Sequence, residues 1–148
     1  MSTYTRIIYH VVFATKHREP TINMEHRKEF LAYSVGTLQG LQSHVYQINC
    51  QEEHIHFLST LHPTASISGL IKQFKTSTGS WLRQHGGFPN FRYWQEGYGA
   101  FTESWSTKPR LIQYIKNQDE HHKEEPFLKE LQRLVEEAGL EWDERYLP

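Results

Sequence analysis

In Glu53-His54-Ile55-His56-Phe57-Leu58 a histidine recurs at every second position of an apolar run. Successive side chains of a β-strand point to opposite faces. As a strand, this stretch sends Ile55 and Phe57 into a core and turns His54 and His56 to the other face, roughly 7 Å apart at the backbone. That alternation demands a sheet with one oily side and one side able to hold two imidazoles. Read from these residues alone, the pair is either two half-buried strand histidines or half of a metal site. Two ligands do not define a site, and no cysteine or histidine cluster offers a closed zinc cage.

The rest of the chain supplies the sheet. Arg6 to Ala14 is apolar on both faces, which predicts a central strand. Phe30, Leu31, Val35 and Leu38 form a helical stripe between Met24 and Gln39, with Gly40 as a stop. Leu41 to Asn49 reads as a second strand, and the short polar turn Cys50–Glu53 joins it to the His54–Leu61 strand as a hairpin. A second helix spans Ser66 to His85, capped by Thr64 or Ser66 and ended by Gly86. After an aromatic loop with Phe88, Phe91, Tyr93 and Trp94, Gly97 to Thr102 reads as a fourth strand whose glycines imply a close backbone approach. A hydroxyl and Pro109 open a helix near Ser106 that runs to about His122. A last helix covers about Glu125 to Ala138, and the tail's Trp142, Tyr146 and Leu147 imply docking.

The order β-α-β-β-α-β followed by two helices predicts an α+β, ferredoxin-like split βαβ fold. It is a four-stranded antiparallel sheet with helices on one face, plus C-terminal helices, in a single domain over residues 1–148. No apolar run approaches the ~20 residues of a membrane span. A single cysteine, Cys50, excludes an intrachain disulfide framework. A cytoplasmic protein is the expectation.

The net charge of −1 conceals an asymmetry. Residues 1–118 hold 12 Lys and Arg against 7 Asp and Glu, and residues 119–148 hold 4 against 10. A polyanionic partner is compatible with the basic part. Lys16, Arg18, Lys72, Lys75, Arg83 and Arg92 are the candidate contacts, which the family resemblance given below makes candidate DNA-binding residues, each otherwise a solvated surface charge. Phe91, Tyr93 and Trp94 are either base-stacking platforms or core and dimer contacts, and the second reading is favoured.

In Tyr114-Ile115-Lys116-Asn117-Gln118 the spacing places Tyr114 and Gln118 on one helix face. Alone, that is a surface pair. Facing the histidines, Gln118 becomes an oxygen ligand beside two imidazoles, a set suited to Mg²⁺ or Mn²⁺ with positions left for phosphate. Tyr114 is then a nucleophile one helical turn away.

Five stretches together resemble the small HUH (His-hydrophobe-His) single-tyrosine transposases of bacterial insertion sequences, including those associated with repetitive extragenic palindromes. They are Tyr9–Arg18, His54–Leu58, Trp94–Phe101, Tyr114–Gln118 followed by Glu120-His121-His122, and the closing Asp143–Leu147. The resemblance implies a transposase acting on single-stranded DNA with hairpins, as a homodimer in which the tyrosine helix can act in trans. It implies His54, His56 and Gln118 as metal ligands, and Tyr114 as the nucleophile of a 5′-phosphotyrosine intermediate. A domesticated relative that binds or nicks hairpin DNA, and a non-catalytic DNA-binding module, are the alternatives. The chain departs from the family at Gln51-Glu52-Glu53, where a Met-Pro-Asp/Asn run is usual. A different turn shape and a charge from Glu53 near the metal are expected there.

Overall fold

In the computed structural model, residues 3–144 are described. Four antiparallel strands, β1 (Ile8–Ala14), β2 (Val45–Cys50), β3 (His54–Thr60) and β4 (Gly99–Glu103), lie in the order β2-β3-β1-β4. This is the sheet of the split βαβ pattern, with β1 and β3 at its centre. Helices α1 (Arg27–Gly40) and α2 (Ile67–His85) are the two crossovers. Helices α3 (Lys108–Lys116), α4 (Gln118–Glu124) and α5 (Phe127–Glu137) follow β4.

The pleat divides the sheet's side chains between two cores. Val11, Phe13, Ile55 and Phe57 pack with Phe30 and Leu38 of α1 and Phe74 and Leu82 of α2. The alternate positions face the C-terminal helices. Ile8 and Leu58 meet Leu111 and Ile115 of α3, while Val12 and Ala14 meet Phe127 and Leu131 of α5. The C-terminal helices therefore cover the second face of the sheet, which is why β1 and β3 are buried on both sides. Trp142 packs against the α5 cluster, so this part of the tail docks on the same face. Tyr146 and Leu147 lie outside the described residues.

Several local expectations hold. The Ser66 hydroxyl accepts from the Gly69 amide and caps α2, and Gly86 ends it in the left-handed region at φ 85°. Gly99 sits where a Cβ would come 2.9 Å from Val12 Cγ1, the close approach its place in a strand implies. The helix expected from Ser106 to His122 differs in two respects. It begins at Lys108 without a side-chain cap, because Thr107 and Ser104 exchange hydrogen bonds in the preceding turn. It also breaks at Asn117, where the backbone leaves the helical well (φ −92°, ψ 19°) and α4 begins.

Asn49 accounts for where that break sits. It pairs with His56 in the β2–β3 ladder. Its amide donates to the Ile115 carbonyl at 3.0 Å and the Lys116 carbonyl at 3.4 Å, and its oxygen accepts from the Cys50 amide at 2.9 Å. The carbonyls that a helix end leaves unpaired are thus satisfied by the strand beside the histidines. Asp119, just past the break, is held by Arg27 at 2.7 Å and by the Gln51 amide at 2.7 Å. Replacing Asn49 by alanine strands these buried groups, and the expected cost is about 1–3 kcal/mol. Urea unfolding of Asn49→Ala measures it, and a loss under about 0.5 kcal/mol would show that Asn49 does not clamp the helix end.

Candidate active site

The two histidines of β3 face α3, α4 and α5, and four buried side chains meet there. His54, His56 and Gln118 are fully buried and Glu130 is 1% exposed. Glu130 Oε1 lies 3.0 Å from His56 Nε2 and 3.4 Å from His54 Nε2. Gln118 Oε1 is also 3.4 Å from His54 Nε2, and the Gln118 amide donates to Glu130 Oε2 at 3.0 Å. The Tyr114 hydroxyl donates to Glu130 Oε2. Tyr114 and Gln118 therefore reach His54 and His56 within one chain, although the helix that carries them is broken between the two.

A ring of outer partners orients the imidazoles. His54 Nδ1 is 2.7 Å from the Glu53 carboxylate, so it carries a proton and leaves Nε2 to point inward. His122 reaches the same carboxylate at 3.1 Å. His56 Nδ1 is 2.8 Å from His10 Nε2, and the two rings stack. The Gln51–Glu53 departure thus has a structural use: Gln51 anchors Asp119 and Glu53 orients His54.

The donors fit a small divalent ion. Ligands about 2.1 Å from one octahedral centre are about 3 Å apart along its edges. The separations among His54 Nε2, His56 Nε2, Gln118 Oε1 and Glu130 Oε1 noted above are of that size. An imidazole–carboxylate contact behind the inward nitrogen is the usual support of a metal-bound histidine.

The electrostatics follow from burial. Burial pushes the His10 pKa down to about 3, with His56 adding to the effect, so this ring stays neutral. Burial also lowers His56, against the pull of Glu130. His54 goes the other way. Burial opposes its charge, but Glu130 and Glu53 outweigh that and raise its pKa. Burial would raise Glu130, yet its contacts with His54 and His56 hold it far below the carboxylate range. Burial and the Glu130 charge raise the Tyr114 phenol, while Arg133 acts against them. The Arg133 guanidinium donates to the Tyr114 oxygen at 2.8 Å and is itself held by Glu125 and Glu137. Tyr114 opens on its outer side to a cleft of about 280 Å³, lined in part by His10, Phe101, Arg110 and Arg133.

Glu130, His10 and Arg133 have no role in the sequence reading. Glu130 had one available signal. Phe127, Glu130, Leu131 and Leu134 follow the i, i+3, i+4, i+7 spacing of a buried stripe, so an acid sits among apolar positions. His10 and Arg133 acquire their roles only through tertiary contacts.

Of the candidate DNA-binding residues, Lys16, Arg83 and Arg92 gather around Tyr93, which is 58% exposed. Lys16 Nζ and Arg83 Cζ lie 5.6 Å and 5.2 Å from the Tyr93 ring centre, and Arg83 donates to the Arg92 carbonyl. The loop that carries Lys16 leaves β1 directly after Ala14, which pairs with His54. His17 and Arg18 in that loop both have φ 58°, a region few side chains adopt. Phe91 and Trp94 are core residues, and Lys72 is exposed on α2. Lys75 is committed elsewhere, donating to the Gln95 and Gly97 carbonyls at 2.8 Å and 2.7 Å.

Burial lowers Lys75 from 10.5 to about 8, against the pull of Glu96. Above pH 8 the folded chain releases this proton while the unfolded chain keeps it until about 10.5, so stability rises with pH in that window. Guanidinium unfolding at pH 7.5 and 9.5 is expected to show the rise in the wild type and a flatter profile in Lys75→Met. Equal slopes would contradict the assignment.

Comparison with known proteins bears on this geometry. The family model described as "Transposase IS200 like" matches residues 3–118. Transposases for insertion sequence element IS200 from Salmonella typhimurium and Salmonella typhi are each 28% identical over 120 residues, covering 78% of this chain and 78% of theirs. A crystal structure of a putative transposase from Deinococcus radiodurans superposes with a TM-score of 0.59 at 21% identity, covering 80% of this chain and 95% of its own. A REP-associated tyrosine transposase bound to a REP hairpin superposes with a TM-score of 0.58 at 16% identity, covering 82% and 74%.

Proposed function

The chain belongs to the IS200-like transposase family, and on that basis we propose that it cleaves and rejoins single-stranded DNA with Tyr114 as the nucleophile. The carrying observation is that Tyr114 and Gln118 converge with His54 and His56 on one buried point. His54, His56 and Gln118 would hold Mg²⁺ or Mn²⁺, which supplies Lewis-acid polarisation of the scissile phosphate.

The chain's own groups carry the remaining chemistry. The Tyr114 oxygen attacks phosphorus, and the bond from phosphorus to the 3′ oxygen breaks. The upstream fragment leaves with a 3′-OH, its oxygen gaining in net the proton that the phenol loses, and the 5′ phosphate of the downstream fragment stays esterified to the tyrosine. Attack by a 3′-OH, from the same or a target strand, reverses the step and releases the phenol. The number of phosphoester bonds is unchanged, so no nucleotide cofactor is required. Arg133, 2.8 Å from the Tyr114 oxygen, favours the anionic form on departure. The cleft beside Tyr114, with Arg110 and Arg133 in its wall, is the phosphate's route to the phenol.

Hairpin-bearing single strands are the substrate class, by analogy with the structural relative bound to a REP hairpin. Lys16, Arg18, Lys72, Arg83 and Arg92 would carry backbone contacts, and Tyr93 offers an exposed stacking face. Lys75 would contribute charge from its anchored position. A homodimer is part of this reading, with two such sites acting on the two ends of a DNA segment.

The test uses labelled single-stranded hairpin DNA from the chain's own genomic flanks, with Mg²⁺ or Mn²⁺. A covalent protein–DNA adduct that survives denaturing electrophoresis is expected, and Tyr114→Phe should abolish it. His56→Ala should lower adduct formation at least a hundredfold, by loss of a metal ligand. A folded, metal-loaded wild-type protein that forms no adduct on those sequences would overturn the proposal.

A further inference from the structure

Glu130 is the least expected member of the site. It lies on α5, beyond the residues 3–118 that match the family model, so the family match does not supply it. A carboxylate on the buried stripe of a helix carries a desolvation cost of several kcal/mol unless a charge compensates it. Its direct partners here are the His54 and His56 imidazoles, the Gln118 amide and the Tyr114 phenol, with the His121 imidazole at 3.7 Å. The Arg133 guanidinium is taken up by Glu125, Glu137 and the Tyr114 oxygen. Glu53 adds a second carboxylate behind His54. His54 thus stands between two carboxylates, and the inward atoms of His54, His56 and Glu130 lie within 4.8 Å of one another.

We propose that Glu130 is a fourth protein ligand of the metal site, through Oε1, and that its Oε2 holds the Tyr114 hydroxyl in place. This rests on the metal-site reading above and adds a residue and a role to it. His54, His56 and Glu130 offer three ligand atoms within 4.8 Å of one another, an arrangement of two imidazoles and one carboxylate that suits Mn²⁺ and leaves room for further oxygen ligands. With Gln118 the set becomes four, leaving two positions of an octahedron for phosphate and water. One carboxylate then ties the ion to the nucleophile, so filling the metal site also fixes the phenol. It also gives α5 a reason to bury a charge amid Phe127 and Leu131.

Mn²⁺ titration of the full chain without DNA, read by the electron paramagnetic resonance signal of free Mn²⁺, tests the assignment. Glu130→Gln keeps the shape and is expected to weaken Mn²⁺ at least tenfold, with Glu130→Asp recovering part of the loss. Crystals of the wild type soaked in Mn²⁺ test the same point without a variant. The anomalous peak should lie within bonding distance of a Glu130 oxygen as well as His54 and His56. If His56→Ala loses Mn²⁺ but Glu130→Gln binds it as the wild type does, the ligand role of Glu130 is wrong and the metal-site reading stands. If neither variant changes Mn²⁺ affinity, both fail. A peak on the histidines with Glu130 turned away, or Glu130→Gln cleaving DNA faster at unchanged affinity, would make Glu130 an obstruction and overturn the proposal.

Discussion

The period-two alternation of β3 places everything else in this molecule. Ile55 and Phe57 are locked into the core under α1 and α2, so a slip of one residue would exchange the phenyl ring for an imidazole. That burial fixes His54 and His56 on the opposite face without help from a ligand. β1 repeats the logic beside it, with Val11 and Phe13 in one core and His10, Val12 and Ala14 turned to the other face. The site is thus the polar centre of a second, smaller core, and its precision derives from the packing of the first.

That second core is unusual in what it buries. Three imidazoles, an amide, a phenol and a carboxylate share a space flanked by Leu58, Ile115 and Phe127. Each inward group has a partner, and each histidine of β3 has a second partner behind it, Glu53 for His54 and His10 for His56. In a low-dielectric site such a network stabilises one arrangement strongly and penalises any partial one. The break at Asn117 belongs to the same economy of contacts. Asn49 and Asp119 hold the two sides of the break to the histidine hairpin and to α1, so the tyrosine and the glutamine are presented by separately anchored helices. Membership of the IS200-like transposase family gives this arrangement its context. The family match ends at residue 118, and Glu130 on α5 lies beyond it.

Much of the fold was readable because its signals are local. Four strands, the two crossover helices, the hairpin turn before His54, the Ser66 cap and the Gly86 stop each follow from spacing and backbone preference over a few residues. The pairing of His54 with His56 is equally local, and Tyr114 with Gln118 nearly so. The helix break between the last two was not visible, because it depends on the side chain of Asn49, more than sixty positions earlier. Lys75 reads in sequence as an ordinary surface cation, yet its ammonium is anchored to the carbonyls of Gln95 and Gly97. Exposure cannot be inferred for a long side chain whose partner lies on another element.

By itself the sequence determined the topology, the pairing of His54 with His56 on the side of their strand opposite Ile55 and Phe57, and the spacing of Tyr114 and Gln118. These depend on alternation and on the 3.6-residue helical repeat, which a chain carries in its own order. Tertiary structure alone decided that the C-terminal helices close the second face, that Tyr114 meets its own chain's histidines, and that Glu130 stands between them. The physical reason is that a buried charge is tolerated only where distant groups compensate it. Such compensation is a property of the assembled core, and no stretch of the chain encodes it alone.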